Sequence, residues 1–594
     1  MSKQTLRYTV EPHDLSGHRL KIRLQIDRVA SSRQIVSMPA WIPGSYLIRD
    51  FSRHVETIRG RHNGRWHEPV KLDDHRWRFD GCQGSLSVEV IVYAWDLSVR
   101  GAHVDDTHAF FNGTSVFLRP HGLEALACEV TLMRPAGKRH WRAYTSMPPA
   151  KGQLPANVMG RFVAADYDAL IDHPFELGTP QVIRFRACGA LHTMVFTGLV
   201  PNLDLKRIAQ DVRRVCESQI AFFDPQDKQA PFLDSAQEYV FMTMVTANGY
   251  GGLEHRASTA LMTSRSDLPT VHQRQAPAGY VQFLGLVSHE YFHTWHVKRI
   301  KPAAFVPYDL LKPTHTRLLW IFEGFTSYYD DLMLLRSGVI DLDTYLKQLS
   351  KTITAVHAAP GRRQQSLANS SFDAWTKYYK QDENAPNAIS SYYAKGALVA
   401  LGLDLVIRQR SAQRYSLDDV MRHLWNTLGR TFYRGKAAGL SETAFVREVK
   451  TVTGVDLRQE IWQWVDQTAD VPLDRLLAPT GFDLIWREAK NTPAIGATFK
   501  TQGESLAIRQ VIRGKAAHAA GLSAGDLLVA CNGLRIGSDV KSLQQVLSAY
   551  QRGDQLILHA FRGDVLQSHT LTLGEPEASV AEVKPSNQST TGPL

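Results

Sequence analysis

Cysteine is scarce in this chain, with five among 594 residues. Cys82, Cys128, Cys188, Cys216 and Cys531 lie far apart, so no C-x-x-C pair exists to hold a metal or run a redox cycle. An odd, scattered set in so long a chain reads as reduced, mostly buried thiols. Long apolar runs are missing too: no stretch approaches the ~18 apolar residues that a membrane crossing needs. The first residues, MSKQTLRYTVEP, lead straight into an alternating pattern without the apolar core of a signal peptide. Cytoplasm is therefore the expected location, and no membrane partner is expected. Runs of like charge are also absent. A net charge of +10 and a pI near 9.2, spread over the whole chain, describe a mildly basic surface and not a phosphate-binding stripe. Nucleic acid is not an expected partner.

What is present is the composition of an ordinary globular protein, 44% hydrophobic and 21% charged. The length suggests about three or four domains. Residues 1–170 read as β-rich, because Leu20, Ile22, Leu24 and Ile26, and again Leu86, Val88, Val90 and Val92, alternate with polar neighbours. Asn63-Gly64 and Pro43-Gly44 supply turns, and a β-sandwich-like domain is expected. From about 205 to 475 the pattern turns helical. The segment LLWIFEGFTSYYDDLMLL (318–335) is long and apolar enough for one buried helix, stopped by Ser337-Gly338. Ser416 lies three residues before Asp419 in the manner of a capping box. A third unit, 494–575, shows strand patterns around a short helix. Residues 576–594 are polar and free of aromatics, and are expected to be a disordered tail.

Chemistry concentrates in LVSHEYFHTWHVKR. His289 and His293 stand four residues apart, one helical turn, so their imidazoles share a face and can grip one ion; Glu290 lies beside them. The flanking Phe283, Leu284, Leu286, Val287, Tyr291, Phe292 and Trp295 are apolar, and a polar trio in such a helix requires a partner. Zinc suits imidazole and carboxylate donors, and a catalytic zinc needs a third ligand and an open position. His296 points well around the helix from this pair. Glu323, set in the apolar Leu319-Trp320-Ile321-Phe322-Glu323-Gly324-Phe325, is the better third ligand, or else the partner of a buried cation. Asp330 and Asp331 look like a solvated face. Paired glycines at 251 and 252 allow close approach of another backbone, or form an ordinary turn. Glu254 is placed to meet a peptide's terminal ammonium.

Several separated blocks resemble the gluzincin metallopeptidases, and within them the glycyl aminopeptidase family whose members carry a PDZ domain. They are WIPGSYLIRDF (41–51), HVDDTHAFFNGTSVFL (103–118), GYGGLEH (249–255), HEYFHTWHVKRIKP (289–302), WIFEGFTSYYDDL (320–332) and SYYAKGALVALGLDL (391–405). The resemblance implies a multidomain α+β chain. Its parts would be a β-sandwich-like N-terminal domain (1–170), a mostly helical, thermolysin-like zinc peptidase domain (171–480) and a C-terminal PDZ domain (494–575). It implies one zinc per chain held by His289, His293 and Glu323, with Glu290 as general base. Gly251, Gly252 and Glu254 fall on its substrate-holding strand, and Tyr393 on the tyrosine that assists the transition state. By residue reading alone, Tyr393 could equally be a buried structural tyrosine beside Tyr392. At 296 the family pattern has Asn where this chain has His. The segment IGATFKTQGESLAIRQVIRGKAAHAAGLSAGDLLVACNGLRI resembles a bacterial-type PDZ domain, which either takes an extended peptide by strand addition or serves as a docked structural module.

The function implied is a zinc aminopeptidase acting on peptides with a free N-terminus, with Gly or Ala as the residue removed. Two alternatives stand beside it. One is an endopeptidase with the same zinc site, and the other a PDZ-based peptide-binding protein whose peptidase domain is inactive.

Overall fold

The computed structural model describes residues 4–29, 31–435, 437–488, 495–574 and 578–586. They form two compact units. The first comprises Met1–Thr314, Tyr329–Ile340 and Met421–Ser441. The second comprises His315–Tyr328, Asp341–Val420 and Glu442–Leu594.

The first unit opens with a β-rich domain of three sheets, one seven-stranded and two four-stranded. The predicted alternation is realised. In Arg19–Ile26 the residues Leu20, Ile22, Leu24 and Ile26 are fully buried while their neighbours face outward, and Leu86–Tyr93 pairs alongside in antiparallel register. Asn63 and Gly64 both take positive φ, 49° and 77°, in the tight turn joining Val55–His62 to Arg65–His67. The expected boundary at 170 falls inside a short helix, Tyr167–Ile171. Beyond it Phe175–Gly178 still pairs with Ala109–Phe111 and Arg142–Tyr144. The β-rich domain therefore runs to 178.

Next comes a five-stranded sheet, whose strands between 238 and 264 interrupt the mostly helical pattern that begins, as expected, at 205. Ala190–Thr197, Glu238–Thr246 and Ser258–Ser264 run parallel, and Gly251–Glu254 lies antiparallel to the last of these at the end of the sheet. The parallel strands are buried on both faces and so carry no period-two signal. Helix α1 (Leu205–Phe223) begins at Asp204, whose side chain accepts from the Arg207 N–H, and buries Ile208, Val212, Val215 and Ile220. Helix α2 (Tyr280–Phe292) is buried along most of its length. All five cysteines are free, four of them buried.

The second unit contains the start of the 318–335 segment. It is two helices, not one: α3 (Leu319–Phe322) and α4 (Gly324–Arg336). The hand-over is at Glu323, with φ −98° and ψ −41°. Gly338, at φ +67°, ends the run as expected. Helix α5 (Ala394–Arg410) is buried almost throughout. A Cβ on Gly324 would lie 2.7 Å from the Gly396 Cα and 2.8 Å from the Tyr392 carbonyl oxygen, so the two glycines let these segments touch backbone to backbone. At Ser416 the backbone N–H donates to the Asp419 carboxylate at 2.9 Å, one half of a capping box.

The PDZ domain closes around Leu506, Ile508, Leu528, Leu543, Leu556 and Leu571, and its Asn532-Gly533 turn has φ of 47° and 80°. The expectation of disorder from 576 fails for Ala578–Pro585. This segment is a strand paired antiparallel to Phe482–Glu488. Ala581 and Val583 alternate into the interior, and their backbone N–H groups donate to the Thr354 and Ser350 hydroxyls, each at 2.9 Å. Short apolar residues spaced by two were enough to anchor a chain whose average polarity suggested none. Residues 587–594 lie outside the described residues.

Candidate active site

Helix α2 ends on the histidine motif, and the four-residue spacing does what helical geometry requires. His289 Nε2 and His293 Nε2 stand 3.1 Å apart, with the rings at 86° to each other. Both rings are oriented from behind. His293 Nδ1 donates to the His296 carbonyl oxygen at 2.8 Å. A carbonyl only accepts, so the His293 proton sits on Nδ1 and a lone pair is left on Nε2. The Asp330 carboxylate takes the Nδ1–H of His289 at 3.0 Å and does the same for that ring. Two nitrogen lone pairs facing each other at 3.1 Å repel unless a cation lies between them. Two ligand nitrogens at ~2.05 Å from a tetrahedral zinc would be about 3.3 Å apart. The donor geometry fits the ion.

Asp330 was expected on a solvated face. Instead its side chain is 17% exposed and braces His289. Burial pushes its carboxyl above the ordinary range, and the His289 contact acts against that rise. The signal was available in sequence: Asp330 follows Glu323 by seven residues, two helical turns. The contact from 296 comes from the backbone, which explains how His can stand where the family pattern has Asn.

Glu290 is buried and lies against the edge strand Gly251–Glu254. A Cβ on Gly252 would come within 2.0 Å of Glu290 Oε1. A side chain there would displace Glu290, and the pairing with Ser258–Ser264 answers the choice between a turn and a strand: the glycine pair belongs to a strand. Glu254, on the same strand, is 4% exposed. Two residues from the β-rich domain reach this strand. Gly44, at φ +96°, approaches so closely that a Cβ would sit 2.5 Å from Glu254 Oε2, and Arg100 Nη2 donates to the Gly252 carbonyl at 3.3 Å. The sequence marked Gly44 only as part of a Pro-Gly turn and did not single out Arg100. Gly44 lies inside a family-like block, but nothing local marks a glycine as the lid over a carboxylate.

The strand's C-terminal end is anchored by buried ions. Asp172 accepts from Lys298 at 2.8 Å, Arg256 at 3.0 Å and His255 at 3.1 Å. Burial alone would raise its carboxyl; the charges of Lys298, His255 and Arg256 outweigh this and hold it well below the usual carboxylate range. Arg299, fully buried, pairs with Asp234 at 2.6 Å.

In the second unit, Glu323 is 2% exposed. Burial raises the hydroxyl pKa of Tyr378 and of Tyr392, and the nearby Glu323 charge adds to both. Tyr393 immediately precedes α5 and is half-buried, with its hydroxyl 3.3 Å from that of Tyr379. Burial separates the adjacent tyrosines: Tyr392 is fully enclosed and Tyr393 is not. The first unit thus offers two imidazole donors, His289 and His293, and the second a buried carboxylate, Glu323.

Comparison with known proteins places the chain. Family models match for the M61 glycyl aminopeptidase over residues 282–399, the peptidase M61 N-terminal domain over 7–179, and a PDZ domain over 493–573. The crystal structure of an aminopeptidase N family protein from Idiomarina loihiensis is 39% identical, covers 98% of each chain, and superposes with a TM-score of 0.92. The chain belongs to the M61 glycyl aminopeptidase family. As an M61 protein it is a peptidase, with the three-part architecture of β-rich domain, helical peptidase domain and PDZ domain. Two more distant solved structures are an M1 zinc metallopeptidase from Deinococcus radiodurans bound to a Tyr-Ser-Ala substrate, and Legionella pneumophila aminopeptidase A in complex with aspartic acid. The first is 14% identical, with a TM-score of 0.48, covering 79% of this chain and 95% of that one. The second is 12% identical, with a TM-score of 0.49, covering 99% and 57%. No curated protein matches the chain. The M61 N-terminal match ends at 179, one residue past the last strand of the β-rich domain.

Proposed function

We propose that this M61 peptidase is a zinc aminopeptidase that removes small N-terminal residues, Gly or Ala, from peptides. One zinc per chain would be held by His289, His293 and Glu323. The observation that carries this reading is the pair of Nε2 atoms 3.1 Å apart, each with its Nδ1 engaged by an acceptor. When bound, zinc supplies Lewis-acid polarisation of the scissile carbonyl and lowers the pKa of water toward ~7.

The chain's own residues supply the rest. Glu290, buried against Gly252, takes the proton of the attacking water and passes it to the leaving amine. Tyr393 donates a hydrogen bond to the oxyanion, a contact typically worth about 3 kcal/mol. The edge strand Gly251–Glu254 offers its backbone to an extended peptide. The Glu254 carboxylate, under the Gly44 loop, meets the terminal ammonium and sets where the cut falls. Preference for Gly or Ala rests on the family alone. The PDZ domain is a further peptide-binding element.

The test is metal analysis together with turnover of Gly- and Ala-amide dipeptides, free and N-acetylated. Bound zinc and selective cleavage of the free substrates support the reading. Equal cleavage of the acetylated peptides would make the enzyme an endopeptidase, and a metal-free active protein would end the zinc assignment. Glu254→Ala should raise KM for free substrates and leave the acetylated ones unchanged.

A further inference from the structure

A second group of metal-type donors sits away from the peptidase motif, at the tip of the hairpin formed by Ala102–Val104 and Ala109–Phe111. The segment His103-Val104-Asp105-Asp106-Thr107-His108 turns back so that one donor atom from each of His103, Asp105 and His108 lies within 4.8 Å of the others. We propose that these three residues hold a divalent transition-metal ion distinct from the one assigned to the peptidase centre.

The argument begins with Asp105. Its Oδ1 is occupied by the Thr107 N–H at 2.7 Å, the Thr107 hydroxyl at 2.6 Å and the His108 N–H at 3.0 Å. This fixes the carboxylate and turns Oδ2 toward His103, whose Nε2 is 3.2 Å away. That separation is close to the ~3.3 Å edge expected between two donors on one tetrahedral ion. His108 is held in the way metal-ligating histidines are: its Nδ1 contacts Oε1 of Glu176 at 3.0 Å, and Glu176 is only 1% exposed. A carboxylate behind one ring nitrogen fixes the tautomer and leaves Nε2 as the donor.

The two rings have centroids 5.0 Å apart, against 4.6 Å for His289 and His293. His103 stacks on Trp95 at 4.7 Å, and its Nδ1 is buried without a hydrogen-bond partner. Its tautomer is thus free to follow an ion at Nε2. A hairpin turn by itself would use Asp105 Oδ1 and the backbone of 107 and 108. It has no use for two buried imidazoles gathered at the other oxygen. Thr107 and His108 also line a cleft of about 460 Å³, with Leu97, Phe196 and Met244, which gives an ion a path in. Imidazole with carboxylate selects zinc or ferrous iron over calcium or magnesium.

This inference does not depend on the zinc reading above, and one experiment separates them. Full-length protein is loaded with Zn²⁺, dialysed and assayed for bound metal by elemental analysis, with folding checked by circular dichroism. Two ions per chain are expected. His289→Ala with His293→Ala should remove one, and His103→Ala with His108→Ala the other. One ion per chain that disappears only with the hairpin pair would uphold this proposal and remove the zinc reading. One ion that disappears only with the helix pair, or no ion at all, would overturn it. Should the hairpin variant fold poorly, Glu176→Gln keeps the shape and should weaken retention of the second ion against a chelator by about 10–100-fold. Unchanged retention there would equally overturn the proposal.

Discussion

The helix and the hairpin assemble paired histidines by different means. On α2 the pair comes from local periodicity: four residues, one turn, two rings on one face. At the hairpin the two imidazoles are five residues apart, on opposite sides of a turn, and meet because His103 and His108 flank an Asp105 carboxylate that ties the turn together. Each pair has one ring backed by a carboxylate from elsewhere in the chain, Asp330 for His289 and Glu176 for His108. A helical site can therefore be read from spacing. A hairpin site needs the register of the sheet.

The strongest way to break this comparison is at Glu290, the proposed general base. Glu290→Gln should keep the metal and lower kcat by about 10²–10⁴-fold, whereas His108→Ala should leave kcat within a few-fold. A Glu290→Gln enzyme with full turnover would remove the functional distinction between the two regions.

Next in size is the ionic anchor of the edge strand. Asp172 has its pKa depressed in the folded state. Its stabilising contribution is complete above the unfolded value of ~4 and is lost as pH falls toward the folded value. Asp172→Asn should cost about 3 kcal/mol at neutral pH, and the gap to wild type should close below pH ~4. Urea unfolding across pH measures this, and a gap that widens in acid would contradict the assignment.

Gly252→Ala comes third. The added carbon would meet Glu290 Oε1 at 2.0 Å, and the displacement should lower kcat/KM by about 10²-fold with metal retained. Asp330→Asn should weaken metal affinity or activity by about 10–100-fold, measurable by chelator competition. The smallest effect belongs to His296→Asn. Because His293 is oriented by a backbone carbonyl, activity per bound metal should change by less than about threefold. A larger loss would give the His296 ring a role of its own.

Much of this was legible in the residues. Period-two alternation marked Arg19–Ile26 and Leu86–Tyr93, and Asn63-Gly64 marked a tight turn. The histidine helix needed only its spacing. What stayed hidden has a common cause. Gly44 and Arg100 act across long sequence separations, on Glu254 and Gly252, and no local pattern encodes a distant contact. The central strands from 238 to 264 lack alternation because both faces are covered. The polar segment 578–585 became a strand only because Phe482–Glu488 and two hydroxyls of a helix were there to receive it.

Sequence alone placed the donors and their local geometry: two imidazoles a turn apart, a carboxylate beside them, and another set in an apolar segment. Periodicity is a property of neighbouring residues, so it survives in one dimension. Tertiary structure decided which nitrogen of His289 carries the proton, why a side chain at 252 would displace Glu290, and that Asp330 faces inward. These are set by groups about forty residues away in the chain, whose approach is fixed only when the core closes.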